Sequence, residues 1–174
     1  MRYVIVSVLK GEAGIFNNKI KKEISKKFNV KSSKLPPHFT IKSPFEASNI
    51  DSIDSIIKNF CACNNKSYYK ISGYDNFDDR VIYMKVLMGK DSKTIHDKLI
   101  NSISSLDYIK FNNKDGKDKI FHITIASKKI NKIFNNIYEY VNTIPCEFKC
   151  TFDNVSIFKL ENNTWILHKE YLFK

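Results

Sequence analysis

Arginine is almost absent from this basic chain. The net charge of +11 comes nearly all from lysine, because arginine occurs only at positions 2 and 80. Bidentate arginine forks are the side chains best suited to guanine edges and phosphates, so a nucleic-acid reader built on arginine is disfavoured. A lysine-rich surface still attracts polyanions through counterion release, although codon bias that also enriches asparagine and isoleucine produces the same composition. The charge is therefore consistent with an RNA partner without requiring one.

Long hydrophobic runs are also absent. No apolar stretch approaches the roughly 20 residues that a bilayer-spanning helix needs. The apolar stretch at the N-terminus is too short for a secretory signal, and no small-residue cleavage site follows it. We therefore expect a monomeric chain that acts in the cytoplasm and has no membrane partner.

The sequence lacks the motifs of disulfide-rich, zinc-binding and nucleotide-binding proteins. The four cysteines, at positions 61, 63, 146 and 150, have neither CxxC nor zinc-site spacing. Reduced thiols are expected, with a disulfide between Cys61 and Cys150 as the alternative. The chain has no glycine-rich phosphate loop, no HExxH and no acidic pair at metal-site spacing, so we expect neither a cofactor nor a metal.

A short phrase that contains histidine occurs twice, as HFTIKS at residues 38–43 and as HITIAS at residues 122–127. Given the histidine and threonine content, two chance copies of His-x-Thr are expected on the order of once per hundred such chains. The repetition therefore indicates a function.

The hydrophobic pattern places the two phrases at matching points of a repeated cycle. The predicted elements are a strand at 3–9, a helix at 15–28, a strand between Pro37 and Pro44, a helix at 49–62, strands at 67–77 and 80–88, a helix at 91–104, a strand at 121–127, a helix at 129–144, and a final hairpin of 146–160 and 164–173 across the ENNT turn. The pattern predicts an α+β fold in one domain, with an internal duplication of about 1–78 and 79–174. It favours two pseudo-symmetric lobes of antiparallel sheet that face a central cleft, with helices outside.

Period-2 geometry gives each phrase a pair of neighbouring side chains. His38 and Thr40 share one strand face, as do His122 and Thr124. Lys42 falls on the face of His38 by the same rule. Two imidazoles can take a proton from water and give one to a leaving oxygen, and two threonine hydroxyls can donate to phosphoryl oxygens.

Paired His-x-Thr-hydrophobic motifs in a duplicated α+β chain resemble those of the 2H phosphoesterase superfamily, which includes the 2′-5′ RNA ligase-like proteins and the 2′,3′-cyclic phosphodiesterases. Three further stretches, PPHFTIKSPFEA, VIYMKV and LENNTWILHKEYLF, are similar to its YjcG-like branch of Gram-positive bacteria. The resemblance implies catalytic roles for His38 and His122 and phosphate-binding roles for Thr40 and Thr124. The stretch ITIASK lacks the arginine that usually follows the second motif in the RNA ligase-like branch.

We predict a phosphoesterase that hydrolyses a 2′,3′-cyclic phosphate or a 2′-5′ phosphodiester of a nucleotide or RNA end, with activity highest near neutral pH. His122 is assigned as the base and His38 as the acid, and the reverse assignment stays open. Lys42 is a further candidate for phosphate binding. The candidate substrate contacts are Arg80, Lys128 and three aromatic residues that are expected to stack on a nucleobase, Phe45, Tyr3 and Tyr83.

Two other functions fit the same residues. A non-catalytic RNA-binding module would use the basic surface, with both motifs as relics. End joining of RNA through a 2′-5′ bond would use the same site in the reverse direction. The sequence does not separate hydrolysis from joining.

Overall fold

The computed structural model describes residues 1–31, 35–112, 115–116, 118–127 and 129–174. Strands and helices alternate along the described chain. In chain order they are β1 (Arg2–Val8), α1 (Gly11–Phe28), β2 (His38–Glu46), α2 (Asp51–Cys63), β3 (Ser67–Phe77), β4 (Val81–Met88), α3 (Lys90–Ser104), β5 (His122–Ala126), a short 3₁₀ helix (Asn131–Ile133), α4 (Phe134–Asn142), β6 (Glu147–Phe152), β7 (Asn154–Glu161) and β8 (Thr164–Leu172).

The strands form two antiparallel four-stranded sheets. The sheet that carries His38 has the order β2-β1-β7-β8 and is named the His38 sheet. The other, named the His122 sheet, has the order β5-β4-β3-β6. Each motif therefore lies on an edge strand of its own sheet. The predicted α+β class with two antiparallel sheets is confirmed.

Both sheets take strands from each predicted half of the chain. β3, at the end of the stretch 1–78, pairs with β4 and β6 in the His122 sheet. β7 and β8 return to the His38 sheet, where β7 pairs with β1. A division near residue 78 therefore does not separate the two sheets, because the β3–β4 hairpin spans it.

Several predicted boundaries differ from the structure. β2 was expected to end before Pro44 but continues through it to Glu46. The stretch 146–160 is two strands in different sheets, separated at Asp153. The helix predicted over 129–144 is reduced to α4 and the preceding 3₁₀ turn. α1 begins at Gly11, four residues before its predicted start. The ENNT turn is confirmed, since Asn162 and Asn163 both have the positive φ of a tight hairpin turn.

One face of helix α1 is buried, and it contains polar as well as apolar residues. The buried residues recur at helical spacing and are Ala13, Gly14, Asn17, Ile20, Lys21 and Ile24. A Cβ on Gly14 would collide with the carbonyl oxygen of Leu9. Glycine at this position therefore lets α1 pack closely against the chain that leaves β1, which turns Asn17 and Lys21 inward.

The loop between α3 and β5 ties the two sheets together. Nζ of Lys42 donates to Oδ2 of Asp115 at 2.8 Å, and the Ser43 amide donates to Oδ1 at 2.7 Å. Both charged side chains are buried, with exposures of 1% and 0%. Burial raises the pKa of Asp115, but the hydrogen bonds from Lys42 and Ser43 outweigh it and hold that pKa below its usual range. Asp115 is therefore ionised in the interior.

Lys119 makes a second connection from the same loop. Its Nζ donates to the carbonyl oxygens of Thr40 and Ile41 at 2.6 and 3.0 Å. These carbonyls belong to the edge strand β2, so the lysine covers part of an edge that would otherwise lack partners. Burial lowers the pKa of Lys119 to about 8.

The predicted phosphate contact at Lys42 is wrong. β2 contains a bulge, because Val6 pairs with Thr40 whereas the next residue of β1, Ile5, pairs with Lys42. The extra residue reverses the alternation, so Lys42 shares a face with Ile5 and lies opposite to Thr40. Its amine is buried against Asp115 and is not available to a ligand.

The cysteines are free thiols, so the alternative disulfide between Cys61 and Cys150 is wrong. Burial raises the pKa of Cys61 to about 12 and those of Cys146 and Cys150 to about 11. These three thiols are therefore protonated and unreactive near neutral pH. In the described residues, no helix is long and apolar enough to cross a bilayer.

Replacing Asp115 tests the tie between the sheets. Asp115→Asn leaves Lys42 as an uncompensated buried cation, so we expect the free energy of unfolding to fall by about 3–5 kcal/mol. Urea denaturation at pH 7 measures the change. Asp78→Asn is the matched control, because Asp78 makes an exposed pair with Arg80 whose loss costs little. A loss for Asp115→Asn no larger than that of the control would contradict the proposed tie.

Candidate active site

The first motif occupies the edge strand β2. His38 pairs across the sheet with Val8, and Thr40 pairs with Val6. Paired residues point to the same side of a sheet, so His38 and Thr40 share one face, as the sequence predicted. Phe39 between them is fully buried on the other face and anchors the strand in the core.

The second motif occupies β5 in the same way. His122 pairs with Lys85, and Thr124 pairs with Tyr83. Both motif residues are half-buried, whereas Ile123 between them is fully buried. The imidazole and the hydroxyl again lie side by side on one face.

The two strands also share a bulge at the same point. One extra residue directly after the threonine, Ile41 in β2 and Ile125 in β5, shifts the register. Bulges re-aim neighbouring side chains and are frequent next to active sites. The same irregularity in both motifs therefore gives each His/Thr pair the same orientation on its own sheet.

Each histidine ring is held by the backbone two residues before it. Nδ1 of His38 lies 2.7 Å from the Pro36 carbonyl oxygen, and Nδ1 of His122 lies 3.0 Å from the Ile120 carbonyl oxygen. A carbonyl can only accept, so Nδ1 carries the proton in both rings. In the neutral ring, Nε2 is then free to accept a proton.

A pocket joins the two motifs. His38 from the first motif and Thr124 from the second both line it. The remaining lining residues are Lys21, Leu35, Pro36, Pro37 and Ser127. Groups from both sheets can thus contact one ligand.

The pocket favours neutral imidazoles in the free protein. Burial lowers the pKa of His38 to about 4, the hydrogen bond to Pro36 opposes this, and the charges of Lys21 and His122 lower it further. Burial also lowers the pKa of His122, with a further contribution from Lys119. Because His122 acts on the charge of His38, the two rings lie within electrostatic reach of each other.

Two aromatic side chains fix the ring of His122. Phe77 meets it edge-on at 4.9 Å between ring centroids, and Tyr83 lies at 5.2 Å. Tyr83 was predicted as a stacking surface for a nucleobase and does lie at the site, but it is only 3% exposed. Its contacts indicate that it positions His122.

The two other predicted stacking residues are not at the site. Tyr3 and Phe45 pair across β1 and β2, with their rings 6.0 Å apart. Both are buried in the main core, together with Ile5 and on the side of the sheet opposite to Thr40. The prediction that they contact a nucleobase is therefore wrong.

The predicted basic contacts at Arg80 and Lys128 have different outcomes. Arg80 lies in the β3–β4 turn, where its exposed guanidinium donates to Asp78 at 2.7 Å. The structure therefore does not bring Arg80 to the pocket. Lys128 lies outside the described residues.

Asn17 and Lys21 at the site were missed from the sequence. Lys21 lines the pocket, and Nδ2 of Asn17 lies 3.4 Å from the Thr124 carbonyl oxygen. The two residues are one helical turn apart in the buried stripe of α1. A polar pair within an apolar stripe was the available signal. The predicted helix began at residue 15 and so left out the first buried residues of the stripe, Ala13 and Gly14.

The described residues do not form a metal-binding site. No group of three or more His, Cys, Asp or Glu side chains among them is placed to hold an ion. The pocket is lined by His38, Thr124 and Lys21, whereas Thr40 and His122 are not among its lining residues.

The family model of the 2′-5′ RNA ligase superfamily matches residues 16–164, a span that includes both motifs and the pocket. The chain belongs to the 2′-5′ RNA ligase superfamily. It is accordingly an enzyme of the 2H phosphoesterase type, and the resemblance drawn from the two motifs is confirmed.

Individual members of the superfamily are distant from this one in sequence. A relative from Geobacillus sp. (strain WCH70), a phosphoesterase by name, is 25% identical over 154 residues, which cover 84% of each chain. The crystal structure of TT0787 of Thermus thermophilus has a TM-score of 0.70 at 12% identity and covers 99% of this chain and 98% of that one. E. coli LigT in complex with 3′-AMP has a TM-score of 0.60 at 11% identity, with 99% and 97% covered. The structural similarity shows that the fold is shared.

The tautomers and charge states of the two rings can be measured by ¹⁵N NMR of the side chains. In the free protein at pH 7 we expect neutral rings with the proton on Nδ1. We expect His38 to titrate at about pH 4 and His122 below 6.5. Because the unfolded chain binds these protons more readily, the folded state should lose stability as pH falls from 6.5 towards 4.

The variants His38→Gln and His122→Gln assign the signals of the two rings. A proton on Nε2 of either neutral ring, or a His38 midpoint at or above the ordinary value of 6.5, would contradict this description.

Proposed function

We propose that the chain hydrolyses a 2′,3′-cyclic phosphate or a 2′-5′ phosphodiester of a nucleotide or RNA end without a metal ion. The observation that carries the proposal is the pocket between the motifs, which His38 and Thr124 line together. The backbone contacts that leave Nε2 unprotonated in both neutral rings support it.

The reaction needs two proton transfers, and the two imidazoles supply them. One ring takes a proton from water as the water oxygen bonds to phosphorus. The other gives a proton to the ribose oxygen as the bond between that oxygen and phosphorus breaks. The products are a phosphomonoester and a free hydroxyl, and proton exchange with solvent restores both rings.

We assign His38 as the base and His122 as the acid, the reverse of the assignment from the sequence. The larger downward pKa shift is on His38, and the charge of Lys21 adds to it. His38 therefore remains unprotonated over the wider pH range and can accept the proton from water. An anionic phosphate raises the pKa of a nearby imidazole, and His122 needs the smaller rise to hold a proton.

Thr40 and Thr124 stabilise the charge that builds on the phosphoryl oxygens. Each hydroxyl lies two residues from a histidine on the same strand face. Short side chains on strands lose little entropy when they donate, and fixed donors of this kind lower the barrier because they need no reorganisation during the reaction.

The relatives support this class of substrate. The Geobacillus relative is a phosphoesterase by name, and LigT was crystallised with the nucleotide 3′-AMP. A nucleotide or an RNA end carries the phosphate for which the pocket is suited, and the net charge of +11 favours binding of either polyanion.

Turnover of defined substrates tests the proposal. We expect hydrolysis of at least one member of a panel of 2′,3′-cyclic nucleotides and 2′-5′ linked oligonucleotides in the presence of EDTA, followed by ³¹P NMR. His38→Ala and His122→Ala should each lower kcat by about 10²–10⁴-fold, because each removes one proton transfer. His168→Ala is the control, since His168 lies on β8, at the opposite edge of the His38 sheet from β2.

Other outcomes of the same assay separate the alternatives. Binding of RNA without turnover of any panel member would favour the RNA-binding module. Formation of 2′-5′ linked products from RNA ends would favour end joining. Full activity in His38→Ala would refute acid–base catalysis by the two histidines.

The pH dependence of kcat/KM reports the free enzyme. We expect a bell with an acid limb at about pH 4, where His38 gains its proton. The alkaline limb should lie below pH 6.5, where His122 loses its proton. The maximum is therefore expected on the acid side of the neutral optimum predicted from the sequence. A rate that rises steadily to about pH 10 would contradict the two-histidine mechanism.

A further inference from the structure

One lysine of α1 is buried, in contrast to its neighbours. Lysines 19, 22, 26 and 27 of this helix are exposed, whereas Lys21 is 8% exposed. A buried ammonium group is costly unless it gains a partner. Burial accordingly lowers the pKa of Lys21.

Lys21 has no counter-ion in the described parts of the chain. The ion pairs there join other residues. Lys42, the other lysine with comparable burial, has the carboxylate of Asp115 at 2.8 Å. The contrast indicates that the partner of Lys21 comes from outside the chain and is an anion.

The position of Lys21 identifies where this anion binds. Lys21 lines the pocket together with His38 and Thr124, and its charge acts on His38. One helical turn earlier, Nδ2 of Asn17 lies 3.4 Å from the carbonyl oxygen of Thr124. Helix α1 is thus anchored on the second motif and presents its buried lysine at the pocket that both motifs share.

We propose that Lys21 binds the phosphate of the substrate and supplies the lysine charge that Lys42 of the first motif cannot, because Lys42 is paired with Asp115. The inference rests on the proposed function and adds a binding residue to that site. A phosphate that enters the pocket pairs with the ammonium group of Lys21, and this ion pair holds the phosphorus close to His38 and Thr124.

Binding of inorganic phosphate tests Lys21 without the need for turnover. We expect Lys21→Met to weaken phosphate binding by about 10- to 100-fold, the usual value of a hydrogen bond to a charged group. Lys21→Arg, which keeps the charge, should recover most of the affinity. Lys22→Met is the matched control, because it removes the same charge from the exposed neighbour on the same helix. Chemical-shift titration at constant ionic strength gives the dissociation constants.

Two further measurements separate ligand binding from a structural role. In Lys21→Met without ligand, the pKa of His38 should rise, since the charge that lowers it is gone, and Lys22→Met should leave it unchanged. The Tm of Lys21→Met should equal or exceed that of the parent, because the variant removes an unpaired buried charge. A structural lysine would lower the Tm when replaced.

The outcomes distinguish this inference from the proposed function. If Lys21→Met and Lys22→Met bind phosphate equally, or if the parent binds none, the role of Lys21 is refuted even if the panel is hydrolysed. If phosphate binding depends on Lys21 while no panel member is turned over, the binding role stands and the proposed reaction fails.

Discussion

The buried pair of Lys42 and Asp115 joins the edge strand of one sheet to the loop that leads into the edge strand of the other. Lys119, from the same loop, adds bonds to two carbonyls of that edge. A site split between two sheets requires a fixed distance between them, and apolar packing specifies such a distance less sharply than directional bonds do. The separation of the two His/Thr pairs therefore depends on groups that do not line the pocket.

The part of the site that could be predicted follows from alternation. HFTI and HITI place His38 with Thr40 and His122 with Thr124, because a period-2 pattern survives in any half-buried strand. Lys42 could not be placed, since a bulge changes the face of every later residue and leaves no mark in the hydrophobic pattern. The strand break at Asp153 did have a mark in the sequence that the prediction did not use. The apolar alternation of residues 148, 150 and 152 stops at Asp153 and Asn154 and resumes out of phase at Val155.

The lysines also show what can and what cannot be predicted from the sequence. The composition gives a net charge of +11 but does not indicate which lysines lie at the candidate site. The structure separates three of them by burial: Lys42 is neutralised by a carboxylate, Lys119 is bonded to backbone carbonyls, and Lys21 has neither kind of partner among the described residues. Burial without a counter-ion is the observation on which the proposed role of Lys21 rests, and it depends on tertiary packing that the amino-acid sequence alone does not display.

The passage of the chain from β6 to β7 has a consequence for the order of assembly during synthesis. The His122 sheet is complete when residue 152 has left the ribosome. β1 and β2 must wait for β7, which pairs Val6 with Ser156, and two strands alone are only marginally stable. Contacts so distant in sequence form slowly. All strands of the His122 sheet are therefore available before β7 is made, and the pocket, which takes residues from both sheets, depends on the later sheet as well.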